Sequence, residues 1–414
     1  MKNQKENSVQ LRVEQLKDQH MPNNFDISLQ AYGGGGTDKS LNQPPKDLVT
    51  HSMKGFETQY KNIVDYIVRI THRIWEEKDI GYIHDTYTHD CRVWDESGLQ
   101  SGSEKIVADT VHTNNAFPDI RLLADEVIWA GDEDASFHTS HRTIISGTNT
   151  GYSKFSEPTG KSVRLLCIAN CVARENEIYY EHVVYDTAAM IKQLGLNVKE
   201  VAKEVANNRD DGPFATDFRD SKPKRMSGQK KPPSFEIPEK ITNVREFAHA
   251  IFNTIWNRRN FSAIDQVYSD DIVFEGSTGR KYRGKKQLRS FVISMIASFP
   301  NLALSVEDIY WMGNEQDGYL VSVRWCAVGS HRGNGTYGPP TGKECYIWGV
   351  TQWLIENNKI KKEWTVDELD EESPLIYDII FDNYDPSEEN GISTNRYSML
   401  ETETESEVFI IKKI

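Results

Sequence analysis

The chain has 414 residues, of which 38% are hydrophobic, and carries a net charge of −14. That length accommodates two or three domains with polar segments to spare, and the acidic balance argues against nucleic acid or an anionic membrane as partner, because both reward clustered Lys and Arg. Five cysteines without a C-x-x-C pair argue against a disulfide framework or a zinc site; with no apolar leader and no membrane-spanning apolar run, a cytoplasmic protein is expected.

Residues 1–55 are polar, include the run AYGGGGTDKS, and are expected to be largely disordered. Patterning begins in FETQYKNIVDYIVRITHRIWEEKD, where Ile63, Ile67, Ile70 and Ile74 fall at helical spacing. Strand signals follow in DASFHTSHRTIISGT, VRLLCIANCVAR and EIYYEHVVYD, giving a first domain over 56–197. Residues 198–239 are charged, carry Pro and Gly, and read as a linker. A second helix, VREFAHAIFNTIWNRRN, then opens a domain over 240–374 with strands in GYLVSVRWCAVGS, ECYIWGVTQWLI and KIKKEWTVDE. Residues 375–414 form an acidic tail.

The two domains are one pattern written twice. Trp75 matches Trp256 and Tyr87 matches Tyr268; after one inserted residue, Phe117-Pro118 matches Phe299-Pro300, Arg142 matches Arg324 and Glu181 matches Glu363. GTNTGYSKFSEPTGK (147–161) faces GSHRGNGTYGPPTGK (329–343). Helices first and consecutive antiparallel strands afterwards predict an α+β fold in each copy, with helices packed on one face of a curved sheet.

The second copy carries Arg324-Trp325, Gly329-Ser330-His331, Arg332-Gly333, Pro339 to Lys343 and Glu363-Trp364; the first carries Arg142, Gly147-Thr148-Asn149, Pro158 to Lys161 and YDTAAMIKQLGL. This pattern resembles the SnoaL-like polyketide cyclase family, of the nuclear transport factor 2-like fold, and so implies two tandem cone-shaped α+β barrels with helices packed on a curved, mostly antiparallel sheet. The resemblance implies general acid/base catalysis without metal or cofactor, aldol cyclase-like or isomerase-like, on a small apolar carbonyl compound. It puts the acid/base carboxylate at Asp186, ahead of Gln193-Leu194-Gly195, and the family histidine at His331, where the first copy has Asn149. Domains of this fold pair through the open sheet face, which implies an intramolecular pseudo-dimer or a homodimer.

Strand parity then assigns faces, since residues of equal parity share one side of a strand. The odd set Tyr319, Val321, Val323, Trp325 and Ala327 is apolar, whereas its first-copy equivalents Phe137, Thr139, His141, Thr143 and Ile145 are more polar. On the closing strand the even set is assigned to the same inner face: Ile178, Tyr180, His182, Val184 and Asp186 in the first copy, Ile360, Trp364, Val366 and Glu368 in the second. A bulge would reverse that assignment. The candidates are therefore Asp186 as acid/base with His141 or His182 orienting it, and Glu368 with His331 in the second copy. Burial would raise the carboxyl pKa toward the working pH. Plainer readings stand beside these: Asp186 as the N-cap of TAAMIKQLG, His331 as a cross-turn hydrogen bond, His141 and His182 as structural histidines, Glu368 as a solvated strand-end charge. Because neither copy keeps the whole family pattern, a non-catalytic small-molecule-binding or scaffolding protein is the alternative. No metal is expected, because the histidine spacing matches no metal motif.

Overall fold

The computed structural model describes residues 13–29, 49–95, 98–207, 236–334 and 339–367, with Thr37 and Leu41. Helix α1 (Ile63–Trp75) starts where the Asn62 side chain accepts the Asp65 N–H at 2.9 Å, and it buries Ile63, Ile67, Ile70 and Ile74 on one side. After it come α2 (Ile83–Thr86), β1 (Tyr87–Asp95), β2 (Gly98–Ser101) and α3 (Ser103–Ala116). Four long strands follow, β3 (Arg121–Asp132), β4 (Ser136–Thr148), β5 (Ser162–Arg174) and β6 (Glu177–Tyr185), and then α4 (Thr187–Leu194) and α5 (Val198–Asn207). The sheet order is β2-β1-β6-β5-β4-β3, with the β1–β6 pair parallel.

The second half repeats the plan. Asn243 caps α6 (Val244–Phe252) by accepting the Glu246 N–H at 3.1 Å, and a π turn at Asn253–Asn257 prolongs it. Then come α7 (Ala263–Val267), β7 (Tyr268–Gly276), β8 (Arg280–Arg283), α8 (Gly284–Ser298), β9 (Ala303–Asn314), β10 (Gly318–Ser330), β11 (Glu344–Glu356) and β12 (Lys359–Asp367). The order β8-β7-β12-β11-β10-β9 is that of the first sheet, position for position. Each half is thus an α+β unit with helices laid over a mixed sheet, as the sequence pattern predicts.

One local feature decides which side chains enter each unit. The β5–β6 hairpin turns at Glu175 and Asn176, both at left-handed φ (50° and 75°), as tight hairpins require. Ala173 then faces Ile178, but the next pair is Val172 with Tyr180, so Tyr179 is an extra residue. The second unit does the same: Ile355 faces Ile360, Leu354 faces Lys362, and Lys361 is extra. Such a bulge transfers every later side chain of the strand to the opposite face.

The outer faces of the two sheets, those turned away from the helices, meet each other. Gln352 donates to the Ser140 carbonyl at 3.0 Å and to its hydroxyl at 2.8 Å, and accepts from Arg142. Arg142 also lies 3.7 Å over the Trp364 ring and bonds Asp125 at 2.6 Å. Its counterpart Arg324 pairs with Glu307 and reaches His182 at 3.4 Å.

The expected disorder of residues 1–55 does not hold for 13–29. Leu16, Met21, Ile27 and Leu29 are buried there, and the segment is tied to both units. Trp129 Nε1 donates to the Ile27 carbonyl at 2.8 Å and His20 pairs with Asp132 at 2.9 Å, while Arg245 donates to the Leu16 carbonyl at 2.7 Å and Gly313 N to Pro22 at 3.0 Å. Four apolar side chains at irregular spacing leave no periodic signal, yet they suffice to hold a polar segment against two sheets. Helix α5 likewise extends past the expected start of the linker at 198. Most of that linker and the tail 375–414 lie outside the described residues.

Candidate functional site

Cross-strand pairing fixes the inner face of the first unit. One row runs Trp129, Thr139, Cys171, Glu181, Val93 across five strands. Glu181 is 8% exposed; its carboxyl accepts the Tyr87 hydroxyl at 3.1 Å and the Cys171 thiol at 3.5 Å. Burial raises its pKa, with those two hydrogen bonds opposing the rise. The adjacent row places His141 between Val127 and Ala169. His141 is 3% exposed, and burial, assisted by the neighbouring Arg142 charge, lowers its pKa to about 4. Its Nε2 has no hydrogen-bond partner among the described residues. An imidazole whose pKa burial lowers and a carboxyl whose pKa burial raises thus share this face.

The second unit keeps the acid and fills the space. Its matching row is Trp311, Val321, Trp353, Glu363, Phe274. Tyr268 donates to Glu363 at 2.7 Å as Tyr87 does to Glu181, and burial raises the Glu363 pKa too. A chain of hydrogen bonds continues from Glu363 to Thr365 (3.2 Å), Thr351 (2.9 Å) and the Trp325 indole (3.0 Å). Phe252 stacks on Trp353 with ring centroids 5.4 Å apart and meets Trp325 at 6.5 Å. At the positions of Phe252, Trp325, Trp353 and Phe274 the first unit has Thr71, Thr143, Cys171 and Val93. The strand registers of the two sheets are the same. Interiors pack densely; at these four positions two indoles and two phenyl rings of the second unit are exchanged for smaller side chains in the first.

The other expected site residues lie elsewhere. Past the Tyr179 bulge, His182 and Asp186 turn to the outer face, which corrects their assignment to the interior. His182 stacks on Trp94 (5.8 Å), meets Trp348 edge-on (5.3 Å) and faces Arg324; burial holds its pKa well below the usual range. Asp186 is buried and caps α4 through Ala189 N (3.1 Å), and it also accepts Thr278 N (2.7 Å) and Gly279 N (3.0 Å) from the turn after β7. It therefore fastens the first unit to the second. His331 and Asn149 serve one backbone purpose. His331 N donates to Lys343 O and Gly342 N to His331 O, both at 2.8 Å; Asn149 and Lys161, Gly160 and Asn149 repeat this at 2.9 and 2.8 Å. Both residues close the Pro-Thr-Gly-Lys turn, and a turn of this kind admits His or Asn alike. Glu368 lies outside the described residues. Of the four candidates among the described residues, His141 lies on the inner face of its unit in the row next to that of Glu181. The acid beside it, Glu181, and its partner Tyr87 carried one sequence signal: both recur in the second copy, as Glu363 and Tyr268. Among the described residues no group of three His, Cys, Asp or Glu side chains is placed to hold a metal ion, and no helix is long and apolar enough to cross a membrane.

Residues 247–370 match the family model of the SnoaL-like polyketide cyclases. Solved structures similar to the chain include three proteins named as candidate polyketide cyclases. That from Acidithiobacillus ferrooxidans is 18% identical, over 31% of this chain and 91% of its own, with a TM-score of 0.27. A SnoaL-like protein from Jannaschia sp. CCS1 is 17% identical over 33% and 92%, with a TM-score of 0.28. IdmH from Streptomyces antibioticus is 21% identical over 28% and 86%, with a TM-score of 0.24. No curated protein matches the sequence.

Proposed function

We propose that this tandem SnoaL-like protein works through its first unit alone, as a general acid/base catalyst on a small, largely apolar carbonyl compound, with Glu181 as the proton carrier. The carrying observation is the contrast between the two interiors. Glu181 and Glu363 occupy the same place with the same tyrosine partner, but Trp325, Trp353 and Phe252 pack the second interior while Thr143, Cys171 and Thr71 stand at those positions in the first.

The chemistry follows from the setting of the acid. The Glu181 carboxylate takes a proton from carbon next to a carbonyl, leaving an enolate, and the carboxylic acid so formed returns the proton to carbon or to the oxygen that gains charge. A buried carboxyl with a raised pKa suits both halves. Tyr87 holds the carboxyl in place and spreads its charge through the 3.1 Å hydrogen bond. The second unit is the built-in partner of the first: its sheet covers the outer face of the first through Gln352, Arg324 and the Asp186 clamp, all within one chain.

Exchange of the α-protons of 1-tetralone for solvent deuterium, followed by NMR, tests this without knowledge of the natural substrate. The wild-type protein is expected to accelerate exchange over buffer. Cys171→Trp, which gives the first interior the residue found in the second, is expected to remove the acceleration while the fold is retained. A folded Cys171→Trp protein that exchanges as fast as wild type would show that this interior is not the site.

A further inference from the structure

Among the buried polar groups that the mechanism above does not use is the His141 imidazole. On the inner face of β4 it has apolar neighbours in its row, Val127 and Ala169, and its Nε2 has no partner among the described residues. A buried polar atom left unpaired is costly. The packed copy of the domain avoids that cost by placing Val323 at the same position. The polar group is therefore present in the unit with Thr143, Cys171 and Thr71 and absent from the one with Trp325, Trp353 and Phe252.

We propose that His141 is a ligand-reading residue, and that the first unit takes an uncharged, two-ended molecule: a carbonyl at the Glu181 end and a hydroxyl or second carbonyl at the imidazole end. This rests on the reading of the first interior as the site. Glu181 and His141 lie two strands and one same-face step apart, so their Cα atoms are separated by about 12 Å from strand spacing alone. That separation is comparable to the reach of a fused two-ring molecule with a polar group at each end. The charged group adjoining His141, Arg142, points to the outer face and is occupied by Asp125, Gln352 and Trp364. A ligand anion would meet the Glu181 carboxyl without a facing cation, which selects against charge. His141 is a specificity residue here, and no proton is moved through it.

A matched probe set tests the assignment: tetralin, 1-tetralone and 6-hydroxy-1-tetralone, titrated by calorimetry into the full chain. Wild type is expected to bind 6-hydroxy-1-tetralone roughly tenfold more tightly than 1-tetralone, the effect of one well-made buried hydrogen bond. His141→Leu is expected to erase that preference, whereas His141→Gln, which keeps a donor and an acceptor, retains part of it. In wild type the imidazole 15N resonances of His141 are expected to shift with 6-hydroxy-1-tetralone and not with 1-tetralone, a readout that stands even if His141→Leu does not fold. Equal affinity of wild type for the two ketones, or a preference that survives in His141→Leu, would overturn the role of His141 while leaving the site itself intact. Failure of all three probes to bind wild type would overturn the site as well.

Discussion

Replacing Glu181 by Gln is expected to slow α-proton exchange of 1-tetralone by roughly 10²-fold or more, the usual worth of a positioned general base. Gln keeps the shape and an acceptor for the Tyr87 hydroxyl, which now bonds the Glu181 carboxyl at 3.1 Å, so the fold should survive. The pH profile of the wild type carries a second signature. Exchange needs the carboxylate form, and burial raises the Glu181 pKa above that of an ordinary glutamate. The rate should therefore climb with pH through that raised value and flatten above it. Glu363→Gln is the control: the same substitution in the filled unit is expected to leave exchange at the wild-type rate. Full activity in Glu181→Gln would remove the acid from the mechanism.

Asp186→Ala is expected to have the largest effect on stability and little on chemistry. The side chain supplies the cap of α4 and accepts two backbone N–H groups from the Thr278–Gly279 turn of the other unit. A lost cap costs about 1 kcal/mol, and each of the two hydrogen bonds to a charged acceptor about 1.5–3 kcal/mol, so a loss of about 4–7 kcal/mol is anticipated. Denaturant unfolding would measure it. The two units should then be less tightly coupled in unfolding, since two of the hydrogen bonds between them are lost. Should Asp186→Ala unfold as wild type yet lose exchange activity, Asp186 would be the working acid and the present assignment would fail.

The duplication and the order of elements were legible because the repeated signals are local. Asn62 and Asn243 cap equivalent helices, the Trp75/Trp256 and Tyr87/Tyr268 pairs fix the register, and the strands alternate over long unbroken stretches. The face presented by β6 and β12 was not legible. Parity survives only along an unbroken strand, and the extra residues Tyr179 and Lys361 carry no residue-type signature of a bulge. One displaced residue sent His182 and Asp186 outward and Glu181 inward. His141 was placed correctly because β4 and β5 pair without interruption from Phe137 to Thr148. His331 is a histidine in a family motif, yet the Asn149 turn makes the same backbone bonds, and both side chains bond the equivalent threonine of the turn, His331 to Thr341 at 3.3 Å and Asn149 to Thr159 at 3.0 Å, so the position calls for a turn-bonding side chain that His and Asn both supply. The buried segment 13–29 escaped because its tertiary contacts, such as Trp129 to Ile27, span a hundred residues of sequence and leave no periodicity.

The most direct measurement is a carboxyl 13C NMR titration of protein labelled at Glu and Asp side chains, assigned with Glu181→Gln, Glu363→Gln and Asp186→Asn, with and without 1-tetralone. Glu181 and Glu363 should both titrate above the ordinary glutamate range, and 1-tetralone should move the Glu181 resonance alone. A shift at Asp186 or Glu363 with Glu181 unmoved would contradict the account.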